Sequence, residues 1–251
     1  MTQVWYPVPK PPKKSSTGRT VGLVAAALVA LVAVVALVIW GVQPRTVDGQ
    51  AAAVQAGGPV VDDSDLEGLL LSPDEISDIV KLPGMVTVAS WMNPDAADDP
   101  GSYDPLDCLG AMYSGMSVVY DENGYEAIFQ TRTGPSNKKG LPAVDQSVAT
   151  FESANAAQSA LGDYIELWKS CAEKKFTYTG PDARESWTLG TPESNHDGMT
   201  TLQNAMDGEE LYLDRAVAAR GNVLVEVQLQ DAKPAGAVVA IAQGILDRIG
   251  D

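Results

Sequence analysis

From Val21 to Val42 the chain reads VGLVAAALVALVAVVALVIWGV, 22 residues without a charged side chain. As a helix this stretch is about 33 Å long, enough to cross the hydrocarbon core of a bilayer. A span of this kind places the residues on its two sides in different compartments, so it constrains the architecture more than any other feature of the chain. The competing reading is a cleavable signal peptide. The apolar core of such a peptide normally runs about 7 to 15 residues, and Trp40 followed by Pro44 makes a poor cleavage site. GQAAAVQA at Gly49 to Ala56 would serve as one, so that alternative stays open.

Charge orients the span. Lys10, Lys13, Lys14 and Arg19 precede it with no acid among them, whereas Arg45 stands alone after it until Asp48. The positive-inside rule therefore leaves the N-terminus in the cytoplasm. Taking those four cations from the 17 Lys and Arg leaves 13 against 33 acids, so the chain beyond residue 20 carries −20. That sign repels nucleic acid and anionic headgroups, and neither is expected as a partner of the body of the protein.

The chain thus divides into four segments. Residues 1–20 form a basic, proline-rich cytoplasmic tail that favours extended conformations. Residues 21–42 form the transmembrane helix and 43–64 a tether of small residues, Gly-Gly-Pro and acids. Residues 65–251 have the length of one extracytoplasmic domain. No internal repeat is present.

Capping and periodicity predict the elements of that domain. SPDEISDIVKL has Ser72 as N-cap, Pro73 at the first helical position and Glu75 three residues after the cap, a capping box. A shorter helix is expected near PLDCLGAMYSG, Pro105 to Gly115. Asn123-Gly124, between MSVVYDE and YEAIFQTRT, predicts a two-residue hairpin that places Tyr120 opposite Ala127 and Val118 opposite Phe129. Asp197-Gly198 and Gly221-Asn222 predict two more. In SANAAQSALGDYIELWKSCAEK the residues Ala157, Ala160, Leu161, Tyr164, Trp168 and Cys171 recur at spacings of three and four, and Pro234 to Ile249 repeats the pattern. The expected fold class is α+β: an antiparallel sheet of hairpins with helices packed on one side, preceded by a single transmembrane helix.

The chain has two cysteines, Cys108 and Cys171. Beyond the membrane the environment is oxidising, which favours a disulfide over two free thiols. Closing a loop of this length contributes on the order of 4 kcal/mol in the chain-entropy model.

The succession LLLSPDEISDIV, DCLGAMY, GYEAIFQ, VDQSVATFESANAAQSAL, WKSCAEK, WTLG, LDRAVAARGNVLVEV and AVVAIAQGILDRI resembles the PknH-like extracellular sensor domain of mycobacteria, over about Leu66 to Ile249. The order of these motifs carries the resemblance, above all QSVATFESANAA leading to WKSCA. It implies an α+β domain with a large V-shaped cleft for an unidentified envelope ligand. Cys108 and Cys171 match the family's first disulfide. The second is absent, its positions falling near Leu213 and Gln230, which a two-residue turn at Gly221-Asn222 would set face to face. The resemblance implies a domain that occurs on a receptor serine/threonine kinase and in stand-alone lipoproteins and anchored proteins; the short cytoplasmic tail expected here has no room for a kinase, which makes this a stand-alone anchored form.

Enzyme readings find little support in the motifs. A Ser-His-acid hydrolase would have to use His196, the only histidine, in the polar stretch ESNHDGM. There is no G-x-S-x-G elbow or S-x-x-K, and no phosphate-binding glycine loop. Asp98, Asp99, Asp104 and Asp107 cluster in DDPGSYDPLD. Glycosidase chemistry would need two of them across a sugar, and calcium binding would need an alternation of ligands that this spacing lacks. Two cysteines and one distant histidine do not make a zinc site, and no metal or organic cofactor is indicated.

Candidate ligand-binding residues are the aromatics Trp91, Tyr113 and Trp187, and Gln130, Gln146 and Arg215, polar side chains among apolar neighbours. Each has a plain structural role as its alternative: packing for the aromatics, ion pairing for Arg215. The expected partner is an envelope lipid or glycan, or an envelope protein if an exposed apolar patch replaces the cleft. Alkaline carbonate extraction tests the anchor. The full chain is expected to stay with the membrane pellet, and its release into the supernatant would remove the span.

Overall fold

In a computed structural model that describes residues 58–97, 101–136, 141–194, 198–232 and 236–250, the first long helix starts where its capping residues place it. Ser72 accepts the Glu75 amide, and the Glu75 carboxylate accepts the Ser72 N–H at 2.8 Å. After the short helix α1 (Leu66–Leu69), this cap opens α2 (Pro73–Val80), which ends on Lys81 in the left-handed region. Glu75 also meets Arg248 near the other end of the domain. That partner and the cap hold the Glu75 carboxyl down at about 2. The expected span at 21–42, the tail and most of the tether lie outside the described residues. Among the described residues no helix is long and apolar enough to cross a membrane.

The remaining helices are α3 (Leu109–Met112), α4 (Ser117–Tyr120), α5 (Ala154–Cys171) and α6 (Ala237–Leu246). Ser153 caps α5, whose buried residues are the six that its periodicity predicts. The strands are β1 (Met85–Trp91), β2 (Ser102–Asp104), β3 (Tyr125–Pro135), β4 (Ala143–Phe151), β5 (Lys175–Thr179), β6 (Arg184–Thr188), β7 (Glu193–Ser194), β8 (Thr200–Met206), β9 (Tyr212–Arg220) and β10 (Val223–Asp231). Among the described residues they form one antiparallel sheet in the order β1-β3-β4-β10-β9-β8-β6-β5-β2, with β7 on β8.

An antiparallel sheet with helices is observed, but the helices cover both faces, not one side. On the first face α3, α4 and α5 bury Phe151, Leu202, Leu213, Val217 and Leu224 with Trp168. On the second, α1, α2 and α6 bury Val144, Val148, Ala216, Ala218, Val225 and Val227. Neighbouring residues of β9 and β10 thus enter opposite cores, so these strands are apolar at consecutive positions instead of alternating. The runs AVAA and VLV carry that signal in the sequence.

One hairpin expectation fails. Asn123-Gly124 does not join two strands, because Ser117–Tyr120 is the helix α4. The Asn123 side chain donates to the Val119 carbonyl at 2.6 Å and Gly124 takes φ +68°, so the pair closes a helix end. Tyr120 is therefore a core residue and not the cross-strand neighbour of Ala127. β3 turns instead into β4. At Gly221-Asn222 the expected hairpin forms, with Arg220 paired to Val223 and Leu213 to Gln230. β7 pairs with β8, Ser194 with Thr200, on either side of the third expected turn, whose Asp197 lies outside the described residues. Cys108 and Cys171 are bonded, joining the start of α3 to the end of α5.

The β9–β10 turn also grips the start of the domain. Asn222 accepts the Val61 N–H at 2.8 Å and donates to the Val61 carbonyl at 3.0 Å. Packing thus reaches into the stretch assigned from sequence to the tether. Gly221 has φ +56°, and a Cβ there would lie 1.9 Å from the Pro59 carbonyl oxygen. Gly221→Ala is expected to cost about 1–2 kcal/mol from backbone conformation alone, and more from the collision with Pro59. Urea unfolding of a fragment beginning at Gly58 checks this, and an unchanged midpoint would show that the grip is dispensable.

Candidate functional site

Beneath the first face of the sheet lies an ion pair with no solvent access. Arg215 of β9 pairs with Glu226 of β10, both fully buried. Arg215 also donates to the Gly110 carbonyl at 2.8 Å and to the Tyr164 hydroxyl, and lies 5.1 Å from the centre of the Trp168 ring. Glu226 accepts from Tyr164, from the Tyr120 hydroxyl at 3.0 Å and from the Gly115 N–H at 3.0 Å. Burial, reinforced by the Glu226 charge, pushes both tyrosines well above their ordinary pKa. They remain protonated donors. Burial opposes the Arg215 charge, but Tyr164 and Glu226 outweigh it and raise the Arg215 pKa.

This network holds a loop. Gly110 and Gly115 bracket the segment Ala111–Ser114, and Gln228, one step along the same face of β10, accepts the Ser114 N–H at 3.0 Å. Gly115 has φ +68°, and a Cβ on it would fall 1.7 Å from the Gln130 Oε1. The Gln130 amide in turn donates to the Asn93 carbonyl at 2.9 Å. Asp95 N–H donates to the Gly115 carbonyl and Ser117 N–H to the Asp95 carbonyl, both at 2.8 Å. Two loops, 92–97 and 113–116, are thus bound to each other and to the sheet.

Next to them opens a cleft of about 810 Å³. Its lining includes Trp91, Gln130, Arg132, Asp145 and Gln228 from the β1, β3, β4 and β10 side, and Tyr103, Tyr178 and Glu185 from β2, β5 and β6. Residues from both ends of the strand order face one space, so the sheet curls around it. Arg132 binds Asp145 with two hydrogen bonds, at 2.6 and 2.9 Å, and its guanidinium sits over the Trp91 ring at 6.0 Å. The hydrogen bonds to Asp145, its charge and that of Asp95 raise the Arg132 pKa against burial. Gln228 donates to Asp145 at 3.2 Å.

Of the candidates read from sequence, Trp91, Tyr113, Gln130 and Gln146 line this cleft and two do not. Trp187 is buried in the first core, its indole N–H donating to Glu185. Arg215 takes its structural alternative, the ion pair. Gln146 touches the cleft, but its amide is engaged elsewhere, holding the Leu71 N–H and carbonyl at 2.9 and 3.0 Å. His196 lies outside the described residues, as do Asp98 and Asp99. Among the described residues no cluster of metal-ligating side chains occurs.

Sequence reasoning missed Glu226, Gln228, Arg132, Asp145 and the tyrosine pair Tyr103–Tyr178, whose ring centres lie 5.2 Å apart. A signal existed for the first two. Glu226 and Gln228 alternate within the run VLVEVQLQ, and polar residues two apart in a strand share a face.

The family model described as PknH-like extracellular domain matches residues 61–248. The serine/threonine-protein kinase PknH of Mycobacterium tuberculosis is 25% identical over 226 residues, covering 90% of this chain and 34% of the kinase. The serine/threonine-protein kinase PknJ of Mycobacterium bovis is 29% identical over 199 residues, 76% of this chain and 33% of that one. The chain thus spans about a third of the length of these relatives. The crystal structure of the extracellular domain of PknH from Mycobacterium tuberculosis superposes with a TM-score of 0.71 at 25% identity, over 77% of this chain and 98% of that one.

Removing one partner of the buried pair leaves a charge unpaired. Arg215→Met is expected to cost about 3–5 kcal/mol in urea unfolding, and Arg215→Met combined with Glu226→Leu to recover part of that loss. A double variant less stable than the single one would show that the pair is not what holds the 110–115 segment.

Proposed function

This chain belongs to the PknH-like extracellular domain family, and we propose that it presents a non-catalytic, sensor-like domain outside the cytoplasmic membrane whose cleft captures a molecule of the cell envelope. In this reading the uncharged stretch 21–42 anchors the domain as a single span with the N-terminus in the cytoplasm, and a signal leaves the domain through a partner protein. The observation that carries the reading is the cleft of about 810 Å³, a volume in the upper range of small-molecule sites. Its loops are pinned to the sheet by side chains, so the site is formed before a ligand arrives. Pre-organisation of this kind lowers the cost of binding.

A second reading, a module that docks another envelope protein, is favoured by one feature. Val86, Trp91 and Met92, along and just beyond the edge strand β1, leave apolar surface exposed, Met92 at 73%.

Thermal unfolding of the full chain with fractionated envelope lipids and glycans separates the two. A fraction present at 100 times its dissociation constant adds about 2.7 kcal/mol of stability, which for a domain of this size is a shift of about 5 to 10 °C. A reproducible shift with one fraction supports capture in the cleft. No shift with any fraction would favour the docking module and make crosslinking to envelope proteins the next step.

A further inference from the structure

From the chemistry of the cleft lining we infer that the molecule it takes is an uncharged, polyhydroxylated one, a neutral glycan. This inference deepens the cleft reading above and rests on it. Charge excludes the anionic classes. Among the described lining residues Asp95, Asp145 and Glu185 face a single cation, Arg132, whose Nε and one terminal nitrogen are committed to Asp145. A phosphate or carboxylate would meet surplus negative charge and no available fork of donors.

The acids do not point to a cation either. Asp145 already accepts from Arg132 and Gln228, Asp95 accepts the Ala97 N–H at 2.8 Å, and Glu185 accepts the Trp187 indole. An acyl chain is disfavoured by the same wall, because apolar chains do not offset the desolvation of the Arg132–Asp145 pair or of the Gln130 and Gln228 amides. What remains is a surface of planar polar groups held in fixed directions beside aromatic rings.

Trp91 adds aromatic surface to this wall. It is 44% exposed at the end of β1, opposite Gln130 in the pairing, with the Arg132 guanidinium over its ring. A half-exposed indole fixed by a cation offers apolar ring surface beside hydrogen-bonding groups. A sugar ring has the matching form, with C–H groups on its faces and hydroxyls around its edge.

Isothermal titration of the full chain in phosphatidylcholine nanodiscs tests this with neutral hexose oligosaccharides (malto-, cello- and manno-hexaose), dextran, dextran sulfate and phosphatidylglycerol vesicles. The expected result is saturable binding of at least one uncharged sugar and none of dextran sulfate. Trp91→Ala should weaken the binding about tenfold and Trp91→Tyr should largely preserve it. Because Trp91 is exposed, both variants are expected to fold, and an unchanged melting temperature confirms it. The glycan class is overturned if no uncharged sugar binds, if the sulfated polymer binds as well as dextran, or if Trp91→Ala leaves sugar binding unchanged. If the sulfated polymer or the vesicles bind in a Trp91-dependent way while the sugars do not, the cleft reading stands with another ligand. If no probe depends on Trp91, the glycan class falls, and the cleft reading falls with it only if the envelope fractions also leave the melting temperature unchanged.

Discussion

An arginine and a glutamate without solvent access, Arg215 and Glu226, set the geometry on which the cleft depends. Taking two ions out of water costs several kcal/mol for each, and only close pairing with further hydrogen bonds offsets it. Here the further bonds come from Tyr164, Tyr120, the Gly110 carbonyl and the Gly115 N–H. The groups that make the buried charges tolerable are thus the two ends of the loop that walls the cleft, so the loop cannot leave without exposing the pair to an unsatisfied interior. This arrangement fixes a conformation, since apolar residues of similar volume would fill the core but leave the Gly115 N–H without its acceptor.

From that pair the structure extends along one strand. Glu226 and Gln228 point to the same face of β10, the first holding Gly115 and the second Ser114 and Asp145. At the other end of β10 the turn residue Asn222 holds Val61, where the chain enters the domain. β10 and the turn that opens it therefore carry contacts to the cleft and to the segment where the chain enters the domain. The disulfide adds a second restraint on the same loop, since Cys108 stands immediately before α3 and Cys171 ends α5, whose Tyr164 and Trp168 enclose Arg215.

The second disulfide implied by the resemblance would join the β9–β10 hairpin near Leu213 and Gln230. The two positions do lie opposite each other, and their strands are held by a full antiparallel ladder with both faces buried. The register is set by the Gly221-Asn222 turn and by burial, because a one-residue slip would exchange the residues of the two cores. A cross-strand bond is therefore not needed to keep this hairpin in place.

Local signals determined much of this architecture from sequence. The capping box at Ser72 and Glu75, the six-residue stripe of α5, the Gly221-Asn222 turn and the pairing of the two cysteines depend on neighbours in the chain or on the absence of alternatives, so they can be read without the fold. Asn123-Gly124 misled because a left-handed glycine also follows helix ends, and here Val119 and Tyr120 are buried in the helix that precedes it. That helices cover both faces, that Arg215 meets Glu226 and not a ligand, and that Trp91, Gln130 and Tyr113 share a cleft while Trp187 does not, were decided by tertiary structure. Each depends on which face of a curled sheet a residue occupies and on what a distant segment places opposite it. Polarity and local periodicity do not encode that information, because it arises only when strands from both ends of the sheet line one space.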